Sequence, residues 1–281
     1  MSTGAWDLGC KVNWTLEVLG RRADGFHELR SWFLWLDGGD RLQWQEGPGS
    51  LEVTGADAGA VPADDSNLVL RADQAWRAAG GVAPSLRWTL EKRLPAGSGL
   101  GAGSADAAGV LRVLETLASR PLGQERCESL AAALGSDVPF FLGEAPAQLL
   151  AGRGELRLAS EQPRCDAVVI ALPEASASTP AVFAALGAPG WEEQERMAIP
   201  FPDQPQGNQL ESAALAVVPE LDALRGPLRA IAPFQLSGSG SAWFCPQPAS
   251  EAEAVAESVR ALGVRAQVHH LWSGYPQEAT V

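Results

Sequence analysis

The residues best suited to chemistry lie in one run, Pro95-Ala96-Gly97-Ser98-Gly99-Leu100-Gly101-Ala102-Gly103-Ser104-Ala105-Asp106-Ala107-Ala108. Glycines at alternate positions, Gly97, Gly99, Gly101 and Gly103, let the backbone turn its amides inward. The helical spacing that follows adds the positive end of a helix, and together these make a nest for a di- or triphosphate. Ser104 falls at the helix start, its hydroxyl free to cap or to approach a phosphate-bound metal. A flexible Gly/Ser linker is the plainer reading, but linkers rarely lead straight into a strong helix. Walker-type chemistry is excluded, because neither lysine of the chain follows a glycine. A dinucleotide fingerprint opens a first βαβ unit, whereas this loop follows Lys92-Arg93-Leu94-Pro95 and leads into helix after helix.

Other reactive side chains are few. Of 21 basic residues only Lys11 and Lys92 are lysine, so a job needing a compact ammonium falls to one of them. Cys10, Cys127, Cys165 and Cys245 are scattered with no C-x-x-C pair, which argues against a zinc site and for reduced thiols. His269 and His270 adjoin in an expected strand, where neighbours point to opposite faces, so they make no joint metal site.

The elements that must position these residues are legible in outline. Alternation predicts strands over 12–18, 41–45 and 86–90. One helix interrupts them, opened by Ser66 or Asn67 and running to Trp76 before Gly80-Gly81. Helices are expected over 105–119 and 124–134, the second stopped by Gly135. The pattern resets near residue 156, suggesting one domain over 1–156 and another over 157–281. The apolar run Ala167–Leu172 reads as a buried strand. Residues 188–207, with Pro189, Pro200, Pro202 and Pro205, read as a surface excursion or a lid. A helix opened by Ser250-Glu251-Ala252-Glu253 at capping-box spacing and a strand over 264–271 close an α+β chain of two lobes.

Composition bounds the partners. The 281 residues are 46% hydrophobic and 20% charged, enough to bury one large core or two medium ones. A net charge of −13 repels nucleic-acid backbones and anionic membrane surfaces, so nucleic acid and membrane are not expected partners. A polyanionic substrate must then be held by local amide nests or a helix end. No run of 18 apolar residues and no leader pattern is present, and a cytoplasmic location is expected.

The glycine-rich run resembles the phosphate-binding motif P-x-G-x-G-L-G-x-G-S-x-x-A-A of the GHMP kinases. Lys11-Val12-Asn13, with Gly20-Arg21-Arg22-Ala23-Asp24-Gly25-Phe26-His27-Glu28-Leu29, resembles the opening of the 4-diphosphocytidyl-2-C-methyl-D-erythritol kinase family. Leu134-Gly135-Ser136-Asp137-Val138-Pro139-Phe140-Phe141 is similar to that family's L-G-[AS]-D-V-P-F-F, and Leu236-Ser237-Gly238-Ser239-Gly240-Ser241 to its late S-G-[ST]-G loop.

The resemblance implies a ribosomal-protein S5-like N-terminal lobe and a ferredoxin-like C-terminal lobe, with the active site between them. It implies ATP-dependent phosphorylation of the 2-hydroxyl of 4-diphosphocytidyl-2-C-methyl-D-erythritol, a step of the non-mevalonate isoprenoid pathway, with Mg²⁺ held mainly by the ATP phosphates. Asp137 is then the base and Lys11 its cationic partner; a helix-capping Asp137 and a surface Lys11 are the bland alternatives. Asn13, Phe26, His27 and Phe183 carry the cytidine end, and Thr179 bonds a substrate phosphate or hydroxyl. Gly238, Ser239 and Gly240 supply a second phosphate or methylerythritol contact. On the nucleotide side, Asn67 and Lys92 join Pro95, Gly97, Ser98, Gly99, Leu100, Gly101, Ala102, Gly103 and Ser104. The chain departs from the family in having Gly9-Cys10 before the lysine, Trp14 after Asn13, Phe26 where tyrosine is usual, and Ala102 for a frequent glycine. Another GHMP kinase acting on homoserine, mevalonate or a sugar, or a non-catalytic nucleotide or metabolite sensor, are the alternatives.

Overall fold

The computed structural model describes residues 2–190 and 197–275. In chain order the first part runs β1 (Thr3–Asp7), β2 (Cys10–Asn13), β3 (Glu17–Arg21), β4 (His27–Leu36), β5 (Arg41–Glu46), β6 (Ser50–Thr54), α1 (Leu68–Ala78), β7 (Leu86–Glu91), α2 (Ala102–Leu117), α3 (Gln124–Leu134), α4 (Val138–Phe141), β8 (Ala147–Gly152) and β9 (Leu156–Glu161). The second part runs β10 (Ala167–Leu172), α5 (Thr179–Ala185), α6 (Glu211–Val217), α7 (Pro219–Ile231), β11 (Gln235–Leu236), β12 (Trp243–Gln247), α8 (Ala249–Ala261) and β13 (Arg265–His269).

These strands form three sheets: β1-β5-β7-β6, then β2-β4-β8-β9 with β3 also on β4, and β11-β12-β10-β13. The third is a βαββαβ unit with its first strand, β10, between its third and fourth, the ferredoxin-like order. The two-lobed α+β architecture implied by the resemblance is therefore present. The pattern break near residue 156 falls at the start of β9, which pairs with β8, so the chain leaves the second sheet only after residue 161.

β10 shows why its sequence is apolar throughout. Ala167, Val169 and Ala171 face a core shared with α5–α8, including Leu221 and Val259. Val168, Ile170 and Leu172 face the second sheet, meeting Trp14, Trp32 and Leu34. A strand covered on both faces needs no polar alternation. The two lobes thus share a packed interface.

Several expected boundaries move for identifiable reasons. The strand expected over 12–18 divides into β2 and β3, because hydroxyls replace ladder bonds between them. Thr15 Oγ1 accepts from Trp32 N at 3.0 Å, and Ser31 Oγ donates to the Thr15 carbonyl. α2 opens at Ala102, three residues before its expected start, because Gly101 takes the left-handed turn at φ +68°. Ser250 lies inside α8 rather than capping it, since the helix opens after Pro248 with no side-chain cap. Within 188–207, residues 191–196 lie outside the described residues. The part after them is tied down: Trp14 and Trp32 donate indole N–H bonds to the carbonyls of Pro202 (2.8 Å) and Pro200 (3.2 Å), and Phe201 stacks on Trp14 at 5.5 Å. His269 is buried against the Asp37 carbonyl at 2.7 Å, whereas His270 is exposed.

Candidate active site

Lys11 belongs to β2, all of whose residues are buried. Its backbone N–H donates to Leu100 O at 2.8 Å, which fastens the strand to the glycine-rich loop. Residues two apart on a strand share a face, and Lys11 Nζ accordingly donates to Asn13 Oδ1 at 2.6 Å. The same ammonium lies 3.5 Å from Asp137 Oδ2 and 4.7 Å above the Phe33 ring. Burial pushes it below the ordinary lysine value, and Asp137 pulls it back only in part. Asp137 sits at the N-terminal flank of α4, makes no capping hydrogen bond and keeps its side chain 28% exposed. Its carboxylate therefore stays available to a ligand.

The loop behind this pair has left-handed glycines at Gly97, Gly99 and Gly101. At Gly99 the reason is also close approach, since a Cβ would lie 2.1 Å from the Ser237 carbonyl oxygen. At the start of α2 the Ser104 amide donates to Gly101 O at 3.0 Å, whereas those of Ala102 and Gly103 precede any helical acceptor, and Gly101 has no side chain to cap them. They remain for an anion. Ser98 closes the loop internally, donating to Pro95 O at 2.8 Å, and Leu100 and Ala102 are packed in the core.

A second loop meets the first from the other lobe. Ser237 Oγ donates to Gly99 O at 3.0 Å and accepts from Asn13 N at 3.3 Å. Asn208 Nδ2 holds the carbonyls of Leu236 (2.9 Å) and Gly238 (2.6 Å). The Thr179 and Ser239 hydroxyls share a 2.7 Å hydrogen bond. A Cβ on Gly238 would stand 3.2 Å from Asn13 Oδ1. The two loops, β2 and α4 thus converge on the Lys11 ammonium.

From that point a cleft of about 680 Å³ opens. Lys11, Asn13, Asp137, Thr179, Gly238 and Ser239 line its inner end, with Gly99 and Gly101 beside them. Phe26, His27 and Phe183 line its outer part. His27 stacks on Phe183 with centroids 4.9 Å apart and planes at 26°. Burial, and then the nearby Arg21, push the His27 imidazole below its ordinary value, so it is neutral at pH 7. Phe26 is 52% exposed, and the Arg153 guanidinium lies 4.9 Å over its ring.

Not every expected residue joins this cleft. Asn67 caps α1, accepting from Val69 N at 2.9 Å and donating to Pro62 O at 2.7 Å. Lys92, expected beside ATP, is enclosed at 2% exposure between Asp40 and Asp106, with Asp106 Oδ2 at 3.2 Å, and does not line this cleft. Burial, and then the neighbouring Asp40, push the Asp106 carboxyl up to about 8, so the Lys92 ammonium chiefly answers the buried Asp40 carboxylate. Gly240 faces Leu236 and Leu221 rather than the cleft, and Pro95, Gly97, Gly103 and Ser104 lie outside its lining. Ser31, Phe33, Arg153 and Asn208 were missed by sequence reasoning, because each contributes through contacts distant in the chain.

Residues 67–144 match the GHMP kinases N terminal domain. The 4-diphosphocytidyl-2-C-methyl-D-erythritol kinase of Cereibacter sphaeroides is 39% identical over 267 residues, covering 89% of this chain and 92% of that protein. A crystal structure of 4-(cytidine 5'-diphospho)-2C-methyl-D-erythritol kinase superposes with a TM-score of 0.77 at 34% identity, covering 95% and 99% of the two chains. Homoserine kinase from Cytophaga hutchinsonii, at 15% identity and TM-score 0.65 over 95% and 94%, shares the fold. The fold and the glycine-loop cleft define a small-molecule kinase of the GHMP class, whose phosphoryl donor is ATP. Within that class the chain belongs to the 4-diphosphocytidyl-2-C-methyl-D-erythritol kinase family.

Proposed function

We propose that this chain transfers the γ-phosphoryl group of ATP to the 2-hydroxyl of 4-diphosphocytidyl-2-C-methyl-D-erythritol, a step of the non-mevalonate isoprenoid pathway, in the cytoplasm. The observation that carries the reading is the Lys11–Asp137 pair, 3.5 Å apart, where the glycine loop meets the cleft. Asp137 accepts the hydroxyl proton as its oxygen bonds to the γ-phosphorus and the bridging bond to ADP breaks. Lys11 offsets the charge that gathers on the transferring group. Asn13 orients the ammonium, and the amides at the start of α2 with the Gly97–Gly101 turns cradle the ATP phosphates. Thr179, Gly238 and Ser239 hold the erythritol and phosphate portion, and His27, with Phe26 and Phe183, receives the cytosine.

No three His, Cys, Asp or Glu side chains converge on one point among the described residues, so a Mg²⁺ ion takes most of its donors from the nucleotide. When bound it neutralises phosphate charge, and the Ser104 hydroxyl at the start of α2 suits its hydration shell. We place the division between the lobes between residues 161 and 167, after β9. Steady-state ADP release tests the assignment of the base: Asp137→Asn lowers kcat by about 10²-fold or more with KM little changed. Near-full turnover in that variant contradicts it.

A further inference from the structure

We infer that Arg112 is a positioning residue for Asp137, acting through the far end of α4; the inference rests on Asp137 being the base. α4 has only four residues, too few to sustain itself, so its ends must be held by other parts of the fold. Its last turn leaves carbonyls without helical partners. Gln148 Nε2 takes the carbonyl of Phe140 at 3.1 Å. The Arg112 guanidinium takes the next three: Phe141 O at 3.3 Å through Nε, then Leu142 O at 2.8 Å and Gly143 O at 2.9 Å through Nη2. A planar fork with fixed donors suits three successive carbonyls, whereas an ammonium reaches fewer. The Tyr275 ring lies 5.0 Å beneath the guanidinium and keeps it from swinging away.

Arg112 stands on α2, the helix whose first turn adjoins the glycine loop, roughly 16 Å further along its axis. One rigid element therefore carries both the phosphate cradle at its start and the clamp on α4 near its end. The clamp sets where α4 lies against α2, and hence where Asp137 stands relative to the phosphates. Arg112 lies outside the lining of the substrate cleft, so it acts on catalysis through the elements it holds and not by contact with substrate there.

The test is a cycle of Arg112→Met and Arg112→Lys, each alone and combined with Asp137→Asn, with kcat and both KM values read by ADP release. Arg112→Met is expected to lower kcat about 10- to 100-fold, the scale of a 1 Å misplacement, with both KM values within about threefold. Arg112→Lys recovers part of that loss. In the Asp137→Asn background, Arg112→Met lowers kcat by less than about twofold more, because the base it positions is already gone. The same loss factor in both backgrounds overturns the inference, as does a rise in the KM for ATP with kcat unchanged. If Arg112→Met does not fold, the cycle is run with Arg112→Lys against the same criteria. An active Asp137→Asn overturns the base assignment and this inference together; an impaired Asp137→Asn with additive losses overturns this inference alone.

Discussion

Replacing Lys11 by methionine separates catalysis from stability, and the structure sets the size of each effect. Lys11 is 4% exposed, and burial outweighs Asp137 in setting its protonation. The folded chain thus disfavours the ammonium, and an unbranched apolar side chain of similar length relieves that cost. Exchanging a desolvated charge for packed apolar atoms is worth about 0 to 4 kcal/mol. Against this, the buried Asn13 Oδ1 loses its 2.6 Å donor, which costs about 1 to 3 kcal/mol. Asp137, left without its partner, is 28% exposed and is resolvated by water, so the penalty of an abandoned buried charge does not arise. The two contributions nearly cancel, and the melting temperature moves by no more than about 4 °C either way. Activity behaves differently, because removal of one preorganised donor facing developing charge costs about 10²- to 10³-fold in kcat. Thermal melts and ADP release on the same preparations measure both. Turnover within tenfold of wild type, or a loss of stability above about 3 kcal/mol, refutes the reasoning.

Three further perturbations follow from the geometry. Gly99→Ala places a methyl group 2.1 Å from the Ser237 carbonyl at φ +80°, so the loop shifts by about 1 Å and kcat/KM for ATP falls up to about 10²-fold; unchanged ATP kinetics contradict this. Lys92→Met leaves the buried Asp40 carboxylate without its cation, and denaturant unfolding should show a loss of roughly 3 to 5 kcal/mol with the KM for ATP unchanged; a selective rise in that KM returns Lys92 to the nucleotide site. His27 has its pKa lowered from 6.5, so it is neutral above that pH and gains a proton only below it. The KM for the cytidylated alcohol is accordingly flat above pH 6.5, and a KM that already rises as the pH falls from 8 to 6.5 contradicts a neutral imidazole reading the base.

What could be read from the chain alone follows the range of the interactions involved. The glycine loop and its helix are local, and the strands over 41–46 and 86–91 follow side-chain alternation, so each stands within a residue or a few of its expected place. Lys11 and Asp137 come together through β2 and α4, which no spacing rule links; only the resemblance of their two motifs to one family paired them. Lys92 has contacts that its motif does not display. Its motif places it beside ATP, but Asp40, 52 residues earlier, and Asp106, on the following helix, enclose it in a core that no local pattern reveals. Arg112 and Gln148 were equally silent, because capping another helix's carbonyls leaves no periodic trace. Ser250 has capping-box spacing, yet Pro248 starts the helix first, a case of one local signal preceding another.

The most direct test of the central claim is ADP release from MgATP by the purified chain with 4-diphosphocytidyl-2-C-methyl-D-erythritol, set beside mevalonate and homoserine. The account predicts ADP release with the cytidylated alcohol alone. Turnover with mevalonate or homoserine instead contradicts the cytosine assignment of Phe26, His27 and Phe183, and no turnover with any alcohol despite ATP binding contradicts the kinase reading itself.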